Sequence, residues 1–277
     1  MKLTAIEKKK YISIRLILTN FCNFRCSYCK EHFNENSLSK DDLDNVFKNI
    51  FRLAKLRNKK IIIVLIGGEI TLKQEELFYA LEIISKNKEK FKSISLFSNL
   101  STKINIDKLK YYINDLNIDL LSSYHPEFTP NNKWFLNNFN ELKDYIVEFN
   151  IMCKSLSHFS EAKKIQKELR FGDIVFNYFE VDKNPDIYKT ISKIKEFKYL
   201  EYWFKNSKDS NCYMKNYQIV INADGQAYRC NLDVINKNSL NINFKLILKD
   251  EELLSISGVS KCPYNSCFCE GIDLPNF

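Results

Sequence analysis

Apolar residues along this chain fall into short strand-like runs separated by helical repeats. Tyr11 to Thr19 (YISIRLILT) is a β-rich apolar run, and Lys60 to Glu69 (KIIIVLIGGE) is almost continuously apolar before two glycines. Runs of this kind suit strands covered on both faces, as in a parallel sheet. Between them, residues 39–56 place apolar side chains at helical spacing, with Ser39 as N-cap and acids in the first turn. The alternation continues with a helix over 73–87, a strand over 93–99, a helix over 105–115 and a strand over 118–125. A helix over 139–146, a strand over 147–152, a helix over 160–170 and a strand over 173–181 complete it. About six strand–helix units predict an α/β fold with a parallel sheet, open or curled, short of the eight units of a complete barrel. Chemistry in such folds collects at the C-terminal strand ends. The loop after Thr19, the corner Gly67–Gly68–Glu69, Ser98–Asn99 and the stretch Ser122 to His125 all fall there.

The pattern changes after Lys205. YQIVINADGQAYRC (217–230) reads as a hairpin turning at Asp224–Gly225. Two regions are expected, a core over 1–205 and a small appended domain over 206–277. A small domain without a large core needs a metal or disulfide staple. No internal repeat or low-complexity linker interrupts the chain.

Composition narrows the function classes. With 277 residues and 45% hydrophobic content, the chain has material for a proper core. No apolar run approaches a membrane span, and the basic N-terminus lacks the apolar segment of a signal peptide, so a cytoplasmic protein is expected. The net charge of +8 comes from lysines dispersed among acids on helix faces, without an aromatic-flanked basic stripe, which argues against a nucleic-acid partner. The nine cysteines are more telling. In a reducing compartment, ordered spacing points to ligands or catalysts. Cys22, Cys26 and Cys29 form an early group; Cys212, Cys230, Cys262, Cys267 and Cys269 form a late one. Cys153 stands alone after an apolar run and reads as a buried, inert thiol.

Three thiols within CNFRCSYC converge on one metal centre but leave a position open. Zinc closed by His32 and an iron–sulfur cube with one free iron both satisfy the local spacing.

The C-x3-C-x2-C spacing after the first strand, with Tyr28 just before the third cysteine and Gly67–Gly68–Glu69 after the second strand, resembles the radical S-adenosylmethionine (SAM) enzymes. The likeness covers about residues 11 to 205. It implies a partial (β/α)6 TIM-like barrel, a [4Fe–4S] cluster on Cys22, Cys26 and Cys29, and SAM chelated to the open iron. It further implies reductive cleavage of SAM to a 5′-deoxyadenosyl radical, hydrogen abstraction from a substrate, and a flavodoxin- or ferredoxin-type electron donor. Gly67 and Gly68 are expected to allow close backbone approach to a ligand and positive φ, with Glu69 accepting from the SAM ammonium. Ser98, Asn99 and Ser122 are expected near the SAM ribose and carboxylate, while His125 is a candidate for binding or proton movement.

The late cysteines, with Gly225 and Cys230 in DGQAYRC, resemble the C-terminal SPASM and twitch extensions of that superfamily. Five cysteines suffice for one auxiliary [4Fe–4S] cluster with one thiol spare. The spacing of Cys262, Cys267 and Cys269 departs from the family pattern, which leaves open which of them closes the site. The twitch likeness implies dehydrogenation of a small molecule, a sugar or aminocyclitol alcohol, with a peptide substrate as the alternative. A non-catalytic zinc, iron–sulfur or nucleic-acid-binding module is the reading from a different class.

Overall fold

The computed structural model describes residues 10–26, 29, 34–153, 159–169, 173–176, 211–212, 216–258 and 260–263. Tyr28, His32, Cys267 and Cys269, the side chain of Cys153, and the boundary expected near residue 205 lie outside what is described.

Six parallel strands lie side by side in chain order: β1 (Tyr11–Ile17), β2 (Lys60–Ile66), β3 (Phe91–Ser98), β4 (Asp119–Tyr124), β5 (Ile146–Cys153) and β6 (Asp173–Phe176). Helices α1 (Lys40–Leu56), α2 (Gln74–Ser85), α3 (Ile106–Leu116), α4 (Lys133–Leu142) and α5 (Phe159–Leu169) connect them. This is the partial TIM-like barrel expected of the repeated units.

Alternation along the strands separates two faces. Ile12, Ile14 and Leu16 of β1, Ile61, Ile63 and Leu65 of β2, and Ile94 and Leu96 of β3 are buried in the main core beside α1 and α2 residues such as Phe47 and Leu81. The alternate positions, including Arg15, Ile66, Phe97 and Ser123, face the barrel interior. The helices begin where local chemistry demands. Ser39 Oγ accepts from Asp42 N at 3.1 Å and Asp42 Oδ2 accepts from Ser39 N at 3.0 Å, a reciprocal cap on α1.

One helix is displaced from expectation. The sequence suggests 139–146, whereas α4 starts at Lys133. Asn132 Oδ1 accepts from Trp134 N and Phe135 N, and Phe135, Phe139 and Leu142 form the buried stripe. The asparagines around Trp134 masked this start. Residues 143–145 tighten into a 3-10 turn, so β5 begins at Ile146.

The expected hairpin is present, but it extends the sheet. After β7 (Asn211–Cys212), strand β8 (Gln218–Ile221) runs parallel to β1 on the side away from β2. β9 (Ala227–Tyr228) returns antiparallel through Gly225, whose φ is 84°. Ile219, Ile221, Ala227, Phe244, Leu248, Leu253 and Ile256 join the main core. The segment therefore shares the barrel's core, which a hairpin signature alone cannot reveal because its partner strand is remote in sequence. A short α6 (Asn231–Ile235) and α7 (Asp250–Ser255) follow, and β10 (Ser260–Lys261) pairs with β7 as a separate two-stranded ribbon. Among the described residues, no helix is long and apolar enough to cross a membrane.

Candidate functional site

Beyond the ends of β1 and β2 the chain is tied edge to edge. Leu18 N donates to Ile66 O at 2.9 Å, Gly68 N to Thr19 O at 2.8 Å and Glu69 N to Phe21 O at 2.9 Å. A Cβ at Gly67 would run into Thr19 O, and one at Gly68 into Phe21 O. Neither glycine has positive φ; among the described residues only Gly225 and Gly258 do among glycines. The expectation of a left-handed backbone is thus corrected. Gly67 and Gly68 are required by the close approach of two loops, and that approach aims the cysteine segment over the barrel mouth.

Within the loop, Cys22 and Cys26 are buried and Cys29 is half-buried. Phe24 anchors the segment, stacked on Phe128 at 5.0 Å and edge-on to His125 at 5.6 Å. Arg25 Nη1 donates to Cys22 O and to Phe24 O, and Cys29 N donates to Cys26 O at 3.0 Å. Asn23 Nδ2 donates to Ser101 Oγ at 2.8 Å, fixing the loop to the end of β3.

Burial pushes the Cys22 thiol up to about 12, with the Glu69 carboxylate and the neighbouring thiols adding to it. Cys22 is therefore a neutral thiol in the metal-free chain, unsuited to nucleophilic attack. Metal binding displaces its proton. His125 Nδ1 lies 3.4 Å from Cys26 Sγ and Nε2 lies 2.7 Å from Ser123 Oγ. Burial lowers its pKa to about 4, so the ring is neutral near pH 7. A thiolate at Cys26 accepts only. Ligation there selects the tautomer with the proton on Nδ1, leaving Nε2 to accept from Ser123.

Glu69 is 1% exposed and does not line the cavity. Its Oε1 accepts from Thr71 N at 3.0 Å, Thr71 Oγ1 at 2.5 Å and Ser98 Oγ at 2.8 Å; Oε2 accepts from Asn99 N at 2.6 Å. Burial raises its pKa while these four donors oppose the rise. The carboxylate clamps the β2 and β3 ends and caps the turn at Ile70, rather than standing open to an ammonium. Leu100, the residue after Asn99, holds a left-handed φ of 54°, and its carbonyl accepts from Asn138 Nδ2 at 2.8 Å.

The resulting cavity has a volume of about 290 Å³. It brings together Cys22, Cys26, Cys29, Gly67, Gly68, Ser98, Asn99 and His125. Ser122 is not among them. It is 2% exposed, its Oγ has no partner, and it shares the strand face of Leu120 and Tyr124, which belong to the main core. The adjacent Ser123 lines the cavity instead. Sequence reasoning also missed Arg15 and Phe24. Strand alternation past Ile14 and Leu16 is the signal that would have found Arg15.

Among the described residues no three or more His, Cys, Asp or Glu side chains converge so as to hold a single metal ion. In a cubane each of three thiolates binds a different iron of one cluster. Three cysteines on one loop, lining a cavity whose described lining supplies no fourth cysteine, fit a cluster with one open iron.

Cys212, Cys230 and Cys262 lie elsewhere. Cys212 pairs in register with Ser260, two residues before Cys262, and all three of Cys212, Cys230 and Cys262 are buried. Arg229, next to Cys230, donates to Ser260 Oγ at 2.8 Å and Lys261 O at 3.2 Å, and forms a two-bond ion pair with Asp233, both at 2.8 Å. Burial disfavours the Arg229 charge, but Asp233 overrides this and holds its pKa above the ordinary value. Burial pushes the Cys230 thiol up to about 12.

Comparison with known proteins is consistent with this arrangement. No curated protein matches the chain. Among solved structures, His-tagged anSMEcpe with bound SAM is 19% identical with a TM-score of 0.62, over 88% of this chain and 80% of that one. Native anSMEcpe with bound SAM and the Cp18Cys peptide is 19% identical with a TM-score of 0.61 over the same shares. SuiB of Streptococcus suis, bound to SAM, is 13% identical with a TM-score of 0.41, over 90% of this chain and 66% of that one. The family model of the radical SAM superfamily matches residues 16–154, half of the chain, and this sets aside a non-catalytic metal- or nucleic-acid-binding module. The chain accordingly belongs to the radical SAM superfamily, as an enzyme that uses a [4Fe–4S] cluster and SAM.

Proposed function

We propose that this enzyme oxidises a small molecule by abstracting a hydrogen atom, and that an auxiliary [4Fe–4S] cluster receives the second electron. The observation that carries the reading is the cavity at the strand ends, walled on one side by Cys22, Cys26 and Cys29. Those three residues would hold the cluster, one thiolate to each of three irons. When bound, the reduced cluster and SAM supply a 5′-deoxyadenosyl radical that takes a hydrogen atom from the substrate. His125 donates from Nδ1 to the Cys26 sulfur and keeps its own charge out of the site. Gly67 and Gly68 let the loop seat close to the strand ends, while Ser98 and Asn99 offer polar contacts to SAM beside them. Phe24, Ile66 and Phe97 exclude water around the reacting atoms.

Loss of a hydrogen atom, then of a proton and an electron, makes a two-electron oxidation. Cys212, Cys230 and Cys262, with Cys267 or Cys269, would hold the accepting cluster, and the Arg229 guanidinium beside Cys230 favours added negative charge there. A flavodoxin- or ferredoxin-type donor supplies the initiating electron. The likeness of the late cysteines to twitch domains supports a sugar or aminocyclitol alcohol as substrate. A peptide is the second reading, favoured by the peptide-bound structure of anSMEcpe, which shares the fold.

Anaerobically reconstituted protein should contain about eight irons with matching sulfide, as two cubes require. With SAM and dithionite it should release 5′-deoxyadenosine, and Cys26→Ala should abolish the release. Zinc without sulfide, or release unaffected by Cys26→Ala, would contradict the proposal. Deuterium transfer into 5′-deoxyadenosine from labelled alcohols or labelled peptides separates the two substrate classes.

A further inference from the structure

Arg15 occupies an unusual position. It lies on the interior face of β1, opposite Val64 of β2 and Val220 of β8. The next interior pair toward the rim is Ile17 and Ile66, and the cysteine loop and the Gly67–Gly68 corner lie beyond that pair. Arg15 therefore forms the floor of the cavity, two residues, or about 7 Å of strand, beneath its mouth.

Every other described group lining the cavity lacks a fixed charge. Among the described residues no carboxylate lines the wall. Arg15 makes no hydrogen bond or ion pair with any described residue, and burial alone lowers its pKa. Arginine is seldom buried unless it is paired, because the loss of hydration is costly. Elsewhere in this chain the buried Arg229 has a two-bond partner in Asp233. Arg15 lines a ligand cavity in which no described group receives its five donors. A bound molecule supplies what is missing.

We infer that Arg15 is an anion receptor for the substrate, taking a carboxylate or phosphate group of the molecule to be oxidised. The planar fork suits either group through two parallel bonds. SAM also carries a carboxylate, but its amino acid end would be taken by the cluster that Cys22, Cys26 and Cys29 would hold at the mouth. The floor is left to the second molecule. The inference rests on the proposed function and narrows it: the substrate is an anion, held by the end remote from the hydrogen that is removed.

The test is isothermal titration of inorganic phosphate, and separately acetate, into cluster-replete protein saturated with SAM, which covers the open iron. Wild-type protein should bind one of these anions saturably, and which of them binds tells phosphate from carboxylate. Arg15→Gln should weaken that binding at least tenfold, and Arg15→Lys about threefold to tenfold, because an ammonium keeps the charge without the fork. SAM affinity should stay within threefold in both variants. Absence of saturable anion binding to the wild type overturns the inference, as does unchanged binding in Arg15→Gln. A tenfold loss of SAM affinity in the variants overturns it as well and assigns Arg15 to the SAM carboxylate. If Arg15→Gln fails to hold the cluster, Arg15→Lys decides: a fall of threefold or more sustains the inference and unchanged affinity overturns it. Wild-type protein that forms 5′-deoxyadenosine yet binds neither anion fails this inference alone. Protein that forms none fails the proposed function.

Discussion

His125 sits between the Cys26 sulfur and the Ser123 hydroxyl, in surroundings that exclude a charged ring. In the unfolded chain its pKa returns to about 6.5. The unfolded state therefore binds more protons between pH 6.5 and about 4, and stability falls as pH falls through that window. The loss should approach about 3 kcal/mol near pH 4. Urea unfolding of cluster-free protein from pH 7.5 to 4.5 should show the decline, and His125→Asn, which does not titrate, should flatten it. The cysteines around this histidine were legible because ligand spacing is local. Ser122 and Ser123 were harder to tell apart, because adjacent residues on a strand face opposite sides and both faces of this sheet are covered. The phase is set by which of them shares a side with Leu120, a fact of packing. Glu69 was found at the right corner, yet only the structure reveals that four donors already hold its carboxylate.

At the level of elements, α1 does more than cover the sheet. Asn49, 1% exposed, donates from Nδ2 to Phe244 O at 3.0 Å and Leu246 O at 2.7 Å, and its Oδ1 accepts from Leu248 N at 3.3 Å. Asn45 Nδ2 reaches Lys245 O at 3.0 Å, and Arg52 bonds to Leu248 O and Asp250. Polar side chains of one helix thus serve as the hydrogen-bond partners of an irregular segment 200 residues away, with Asn45 and Lys245 as the pair at that separation. Asn49→Ala leaves three backbone groups without partners and should cost about 2–3 kcal/mol in chemical denaturation. Limited proteolysis should then cut within 244–256 faster than in the wild type. The strands and most helices were readable from period alone. The destination of β8 was not, because parallel pairing with β1 leaves no trace in either segment's own pattern.

For the whole molecule, the Arg229–Asp233 pair joins the sheet extension to the ribbon carrying Cys212 and Cys262. Removing the arginine alone strands a buried aspartate at a cost of about 3–5 kcal/mol. The double variant Arg229→Met, Asp233→Asn avoids that penalty and isolates the positioning role. It should lower iron from about eight toward about four per chain, as loss of one cube predicts. Release of 5′-deoxyadenosine without substrate should persist, since the Cys22–Cys26–Cys29 loop is untouched. Unaltered iron content would show that the late cysteines assemble their site without this pair.

The place of β8 beside β1 also has a bearing on how the chain is made. Ser13 faces Gln218, so 218 − 13 = 205 residues of synthesis separate the two edges. At ribosomal speeds of 5–20 residues per second that interval is roughly 10–40 s. For all of it the far edge of β1 carries unpaired backbone groups, a template for strands of other nascent chains. The edge that β1 exposes is thus closed only by a strand made some 205 residues later.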